Sequence, residues 1–590
     1  MEDMPMIDVA ARFSSGDSAE NRTVATAPPG RWLVAITFTA IMALRVLAIL
    51  HYRIDSDEPQ HLHVVWGWTH GLVQYRDVFD NHTPLFHLAC IPIFKLVGER
   101  ADAIVYMRFA MLPLFFFSLW CIHRLGTLIQ SPATALWGAI FAALTPAFCF
   151  TSTEYRADDL WTALWLGSLV VLLGGEPGWK RGLSAGILFG ATAATSLKTL
   201  ALLGCLGLAC FVGLFLTGSI KAAATDRKSR ALLAAIIAGF TVVPALLALW
   251  FARQGALPDA IYGIFTYNSV PGLGRIRILR DFVIGLLELI GLIALLIPSS
   301  AWMARRLIPP QRRLRFHLIF LSSGFYGALI YTLWPLLDAE HLIPFQPLFV
   351  LGFMPLILDV IFRGVGSGSA KFRVAIPAAI AIAIVAGEAM ALQTDSVRPS
   401  LQTYADLLHL SEPSDYVMDL KGETIFRRRP YRFLFEGVGI IRARKGLLPD
   451  DIPEEMIRTK TCIAIHYNYR FIFPRALEFL DANYIPVSSF RVLGHSMILS
   501  ADQGTYTFNV VIPETYAFIS DGRLVAGTID GQPCAGHAIL AKGPHEFLPN
   551  RPRQHMEFIW KQAIDRGFFP DYRAMQAAPH AAGKVRKHSA

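Results

Sequence analysis

Residues 32–50 read WLVAITFTAIMALRVLAIL, and a few positions later residues 54–63 read IDSDEPQHLH. The first run is almost wholly apolar and long enough to cross roughly 30 Å of hydrocarbon as a helix. It is too long, and too poor in small residues at its end, for a cleaved leader, so it reads as a retained span. The second run places Asp55, Asp57 and Glu58 where that helix emerges into water.

Outward from this junction the pattern repeats. Further apolar blocks fall at about 104–123, 133–152, 160–174, 182–197, 199–217, 231–252, 282–303, 316–337, 342–362 and 374–393, which predicts about eleven transmembrane helices. Composition agrees: 54% of residues are hydrophobic and 17% charged, with a mean hydropathy of +0.43, against about 25% charged in soluble domains. A soluble enzyme is excluded.

The net charge of +9 does not point to nucleic acid, because the cations lie between apolar blocks instead of along one face. They sort by loop. Lys180 and Arg181, then Lys221, Arg227, Lys228 and Arg230, then Arg305, Arg306, Arg312, Arg313 and Arg315, then Arg363, Lys371 and Arg373 occupy alternate connections, which are therefore cytoplasmic. The other connections hold Asp55, Asp57, Glu58, Asp77 and Asp80, then Glu154, Asp158 and Asp159, then Asp338 and Glu340. With an odd number of spans the N-terminus is cytoplasmic, and the chain beyond about residue 395 lies outside.

The expected organisation is a polar tail over 1–31, a helical membrane domain over 32–394 with an external loop at 51–100, and a soluble unit over 395–577. A basic tail follows at 578–590. Short alternating strands at 462–466 and 505–512 and helical spacing over 472–483 make the soluble unit α/β or α+β. Cys90, Cys121, Cys149, Cys205 and Cys210 sit in or beside apolar blocks and read as small buried residues. Cys462 and Cys534 either pair in an oxidising compartment or stay as free thiols.

The loop at 51–100 is too rich in acids, histidines and aromatics for a simple connector. Its segment 86–97 is too short to span and reads as an interfacial helix bracing the loop. Asp57 and Glu58 have two readings: acids in the first turn of a helix after Ser56, favoured by the dipole, or a partly buried carboxylate that takes a proton from a hydroxyl. His61 and His63 with Asp57 offer ligands to a divalent ion, although positions i and i+2 do not share a helical face. No Walker or Rossmann glycine loop is present, which disfavours soluble nucleotide-sugar donors.

The acidic pair just after the first span, the long first external loop, the element Pro84-Leu85-Phe86 and the terminal soluble domain together resemble the GT-C glycosyltransferases. The likeness covers roughly residues 32–394 and is strongest to the bacterial protein-mannosyltransferase-like branch, which includes aminoarabinose transferases and rhizobial galacturonosyltransferases. It implies a polyprenyl-phosphate-linked sugar donor, a lipid, glycan or protein acceptor in the envelope, and an inner-membrane location with the site facing the periplasm. Asp57 corresponds to the catalytic base, with Glu58 beside it. The run Glu154-Tyr155-Arg156-Ala157-Asp158-Asp159 resembles the family's Arg-x-Asp element, with Asp158 the matching acid. Thr195-Ser196-Leu197-Lys198-Thr199 resembles its Thr-Lys-Gly element, where Lys198 would neutralise donor phosphate, although snorkelling accounts for a lone boundary lysine as well. His341-Leu342-Ile343-Pro344-Phe345 is similar to a signature that precedes a late span.

The chain departs from the family where it has Gln60 and His61 after the acids and His82-Thr83-Pro84 in place of Lys-Pro-Pro. Arg45, within the first span and so a functional candidate, together with Arg53, Arg76, Arg156, Arg275 and Arg277, are the compensating candidates for donor phosphate. Gln60, His61, His82, Glu154, Asp159 and His341 are the candidates for substrate contact. Expelling a phosphate leaving group needs no bound metal, and a divalent ion stays open. A second class, a lipid or glycan transporter or flippase, would use the same acids along a translocation path. Against it, the acids gather on one face and no inverted pair of broken helices is evident.

Overall fold

The structure is a computed structural model that describes residues 31–270, 278–364, 372–465, 473–498 and 504–570. All but the last residue of the polar tail expected over 1–31, the basic tail expected over 578–590, and the candidates Arg275 and Arg277 lie outside the described residues. All eleven apolar blocks are helical. Seven helices among the described residues are long and apolar enough to cross a bilayer: Trp32–His51, Ala103–Ile129, Thr199–Leu216, Arg227–Arg253, Leu279–Leu307, Pro310–Leu333 and Val374–Ala391. The chain is a membrane protein.

The remaining blocks form shorter helices. The block at 133–152 is divided into Pro132–Ala143 and Pro146–Thr151, because Pro146 has no N–H to continue the ladder and restarts a helix at its first turn. Arg227–Arg253 and Leu279–Leu307 carry exposed Leu233, Ile237, Leu246, Leu287 and Leu295 on their outer faces, the surface that lipid covers. Pro310–Leu333 is mostly buried and forms the centre of the bundle, with Phe316, Phe320 and Tyr326 in its core.

The helix Trp179–Thr195 meets Arg227–Arg253 backbone to backbone. Gly182, Gly186 and Gly190 recur every four residues, and a Cβ on each would lie 2.4, 2.3 and 2.3 Å from the carbonyl oxygens of Leu232, Ile236 and Phe240. Gly239 completes the seam from the other side, 2.5 Å by the same measure from the Leu183 carbonyl. Small residues at this spacing let membrane helices approach until Cα–H groups face carbonyls.

The loop at 51–100 folds onto the bundle as two helices, Asp57–Thr69 and Leu85–Val97. Leu62, Val65 and Trp66 from the first and Phe86, Cys90 and Phe94 from the second share one core with Ile104, Met107 and Tyr155. Leu85–Val97 is apolar and short, as its sequence predicts for a bracing helix.

The C-terminal domain is β-rich. Its larger sheet runs Val417–Met418, Ile463–Ile465, Phe490–Ile498, His555–Trp560, Glu514–Ser520 and His537–Leu540, and Tyr484–Val487 pairs with Phe490–Ile498. The first pair is parallel and the others are antiparallel. A second sheet is built from Tyr506–Val510, Gly543–Pro549, Gly527–Ile529 and Gln532–Cys534. Alternation along Tyr506–Val510 points Tyr506, Phe508 and Val510 inward, where Phe508 stacks on Phe558 and Phe518 packs at a tilt against Phe547. The helix Pro474–Asn483 falls where helical spacing predicts it. Cys462 and Cys534 are both free thiols.

This domain is docked both on the loop at 51–100, where Arg432 donates to the Tyr75 carbonyl at 3.1 Å, and on the segment that precedes Leu279–Leu307. Tyr267 donates its hydroxyl to the Leu434 carbonyl at 2.9 Å, and Arg442 donates to the Thr266 and Tyr267 carbonyls, both at 3.2 Å.

Candidate active site

The site begins with how the chain turns out of the first span. Asp55 caps the next helix: its Oδ1 accepts the Asp57 N–H at 3.1 Å, while Glu58 reaches back to the Asp55 N–H at 2.9 Å. This is the reciprocal arrangement of a capping box, written here as Asp-Ser-Asp-Glu. Glu58 is therefore turned inward, wholly buried, onto Arg108. Its neighbour Asp57 is turned outward, with its side chain 24% exposed.

Asp57 lies between two cations. Arg156 Nη2 is 2.8 Å from Oδ2, and Lys421 Nζ of the C-terminal domain is 2.5 Å from Oδ1. Burial raises the Asp57 pKa, but the charges of Arg156, Lys421 and His82 outweigh it and hold the carboxyl well below the usual range. Arg156 is the hub of an acidic ring: Asp55 at 2.7 Å, Asp158 and Glu340 at 3.4 Å, and Glu154 at 3.8 Å. Lys198 Nζ reaches Asp158 at 3.5 Å and lies over the Trp161 ring. The hollow alongside, about 270 Å³, is lined by Tyr52, Arg53, Asp55, Asp57, Glu154, Arg156 and Glu340 among others.

A second buried cluster flanks this hub. Asp80 Oδ1 accepts from Gln60 at 2.8 Å and from His82 Nδ1 at 3.0 Å, and Oδ2 accepts from Gln74 at 3.0 Å. Burial lowers the His82 pKa, but Asp80, then Asp57 and Asp158, reverse this and leave it raised. His61 Nδ1 meets His87 Nε2 at 2.9 Å, and its ring packs 4.6 Å from that of His82. Gln60, His61 and His82 thus form one network whose member nearest solvent is His82.

Several sequence expectations fall elsewhere. Arg45 is wholly buried: its guanidinium donates to the Cys149 carbonyl, to Ser152 Oγ and to the Ser152 carbonyl, and it lies 4.0 Å over the Phe115 ring. It ties the first span to the end of Pro146–Thr151, and those acceptors take up its two terminal nitrogens. Asp159 is buried beside it and outside the lining of the hollow. Arg76 pairs with Asp77 and the Gln254 carbonyl, in a separate cleft against the C-terminal domain. Arg53 pairs with Asp55 at 2.9 Å and is largely exposed at the rim. Glu58 has no free lone pair aimed at the hollow: it accepts from Arg108, Tyr155 N and Asp55 N. His341 lies 3.7 Å from Glu340.

The metal set of Asp57, His61 and His63 does not assemble. His63 Nδ1 is bonded to the Ile425 carbonyl at 2.7 Å and its ring stacks on Trp66, while His61 faces His87. Asp338, Glu340 and His341 bring ligand atoms within 4.8 Å of one another, yet Glu340 already faces Arg156. Lys421, Arg108, Asp80 and Glu340 were not singled out as site residues from sequence. Arg108 had a signal, an arginine inside an apolar block; Lys421, 364 positions from Asp57, had none.

The described residues form a helical membrane bundle that carries the acids on the loop after its first span and is covered there by a C-terminal β-rich domain. Among solved structures, the chain is similar to ArnT from Cupriavidus metallidurans in the apo state, with a TM-score of 0.53 and 11% identity over 79% of this chain and 98% of that one. The structure of ArnT bound to undecaprenyl phosphate gives 0.50 and 13%, over 78% and 97%. No protein-family model matches the sequence, and no curated protein matches it. At these identities the likeness is one of fold.

Proposed function

We propose that this protein is an inner-membrane glycosyltransferase that moves a sugar from a polyprenyl-phosphate donor to an envelope acceptor, whether lipopolysaccharide, another glycan or a protein. The observation that carries the reading is Asp57. It is a partly exposed carboxylate at the membrane boundary, beside a hollow lined by Arg156, in a fold shared with a protein that binds undecaprenyl phosphate.

Asp57 takes the proton of the acceptor hydroxyl, whose oxygen attacks the anomeric carbon from the face opposite the lipid phosphate. The bond from that carbon to the phosphate oxygen breaks, its electrons leave with the polyprenyl phosphate, and the configuration inverts. The departing phosphate is a weak base and needs cations, not a proton donor; Arg156 and Lys198 supply them. Gln60, His61 and His82 border the sugar side. The alternating basic loops support a periplasmic orientation for this face.

The test is mass spectrometry of envelope lipids and glycans from a deletion strain complemented with wild type or Asp57→Asn. A sugar-sized loss restored only by wild type supports the reading. Equal rescue by both removes Asp57 as base, and an unchanged profile turns the assignment toward the transporter class.

A further inference from the structure

Lys421 belongs to a loop built with unusual care for a surface connection. Asp419, wholly buried, accepts from Gly422 N at 2.8 Å, Thr424 N at 2.9 Å, Thr424 Oγ1 at 2.7 Å and Arg429 Nε at 2.6 Å. Glu423 closes the turn by accepting the Leu420 and Lys421 N–H groups.

The loop is pinned to the helix Asp57–Thr69. Gly422 has φ +95°, and a Cβ there would meet the His63 ring at 2.8 Å. Ile425, buried and β-branched, has φ 58°, a region such residues rarely occupy. Its carbonyl is the acceptor of His63. Strain of this kind persists where the surroundings over-determine a position, and it gathers at functional sites. What the strain positions is one ammonium group, 8% exposed, on one oxygen of Asp57.

A base held by two cations is poorly basic, and a donor site needs cations for a phosphate. One arrangement meets both conditions. We infer that the 419–425 loop is part of the donor site, and that Lys421 masks Asp57 until the phosphate of a polyprenyl-phosphate donor draws it away, so that donor binding unmasks the base. This rests on the glycosyltransferase reading above. It adds that the C-terminal domain supplies a donor-binding group, and that phosphate and Asp57 compete for Lys421.

The experiment measures binding of undecaprenyl phosphate, with undecaprenol as control, to the full-length protein in detergent. The proteins are wild type, Lys421→Ala, Asp57→Asn and the double variant. Wild type is expected to prefer the phosphate. Lys421→Ala weakens that binding by about tenfold, the scale of one charge-assisted contact. Asp57→Asn tightens it severalfold, because Lys421 is released, and the double variant loses that gain. A tightening cannot arise from misfolding. If wild type prefers the phosphate but Asp57→Asn does not tighten it, or the double variant stays as tight as Asp57→Asn, the masking is overturned and the glycosyltransferase reading stands. If wild type binds both lipids alike, the donor reading itself fails and the masking with it.

Discussion

Arg108 grips both carboxylate oxygens of Glu58, with Nε 2.7 Å from one and Nη2 2.6 Å from the other, and neither side chain is exposed. The same guanidinium donates to the Ile49, Tyr52 and Arg53 carbonyls, which a helix ending at His51 leaves without partners. One residue in the second span therefore caps the first span and fixes the helix that carries Asp57.

Removing one partner of such a pair strands a buried charge. Glu58→Gln is expected to cost about 3 kcal/mol and to lower the thermal midpoint of the protein in detergent, while Asp57→Asn, next to it and partly exposed, lowers it less. Equal effects would place Glu58 on the working side of the helix.

Arg156 pairs with Asp55, Asp57, Glu154, Asp158 and Glu340 at once. Arg156→Ala is expected to lower the transfer rate by about a hundredfold or more, with Arg156→Lys intermediate, since an ammonium cannot reach as many carboxylates at once. Single-turnover transfer from a polyprenyl-phosphate sugar checks this; a rate within threefold of wild type would exclude Arg156 as the charge that stabilises the leaving phosphate.

Arg45 is structural. Arg45→Met is expected to cost about 2 kcal/mol, because it leaves buried carbonyls unpaired, and to leave undecaprenyl phosphate affinity unchanged. Lost affinity at full stability would restore it to the donor site.

His82 sets a pH dependence. Its folded pKa is raised above 6.5, so its contribution to stability is complete below about pH 6.5 and is lost as pH rises through the folded value. The thermal midpoint of wild type should fall over that interval, and His82→Asn should flatten the fall. An unchanged slope would place the titrating group elsewhere.

Periodicity made the bundle legible, because a span must be apolar throughout and the sequence has no other way to write one. The same holds for Asp57, Arg156 and Asp158, which sit at span boundaries where polar residues stand out. Arg45 shows how little an arginine in a span specifies: it signals a buried partner, and the backbone carbonyls at 149 and 152 serve as one. Arg108 carried the same signal inside a longer run and was passed over. Lys421 could not be read, since its meaning depends on a docking between parts of the chain that no local pattern encodes. The block at 182–197 is shorter than a full span, yet its Gly182, Gly186 and Gly190 record the close packing of its helix.

Gly186→Leu tests that packing. A side chain would need space now filled by the Ile236 carbonyl, so the variant is expected to separate the two helices and reduce the yield of folded protein severalfold, with Gly204→Leu on the open face of Thr199–Leu216 as the tolerated control.

Where backbone meets backbone, nothing yields. Side chains can change rotamer and let neighbouring helices slide, but the contact of Trp179–Thr195 with Arg227–Arg253 has no such slack. The two helices behave as a single stiff plate, so any parting of the bundle that admits or releases a long prenyl tail must take place along a different seam, one lined by side chains that can swing aside.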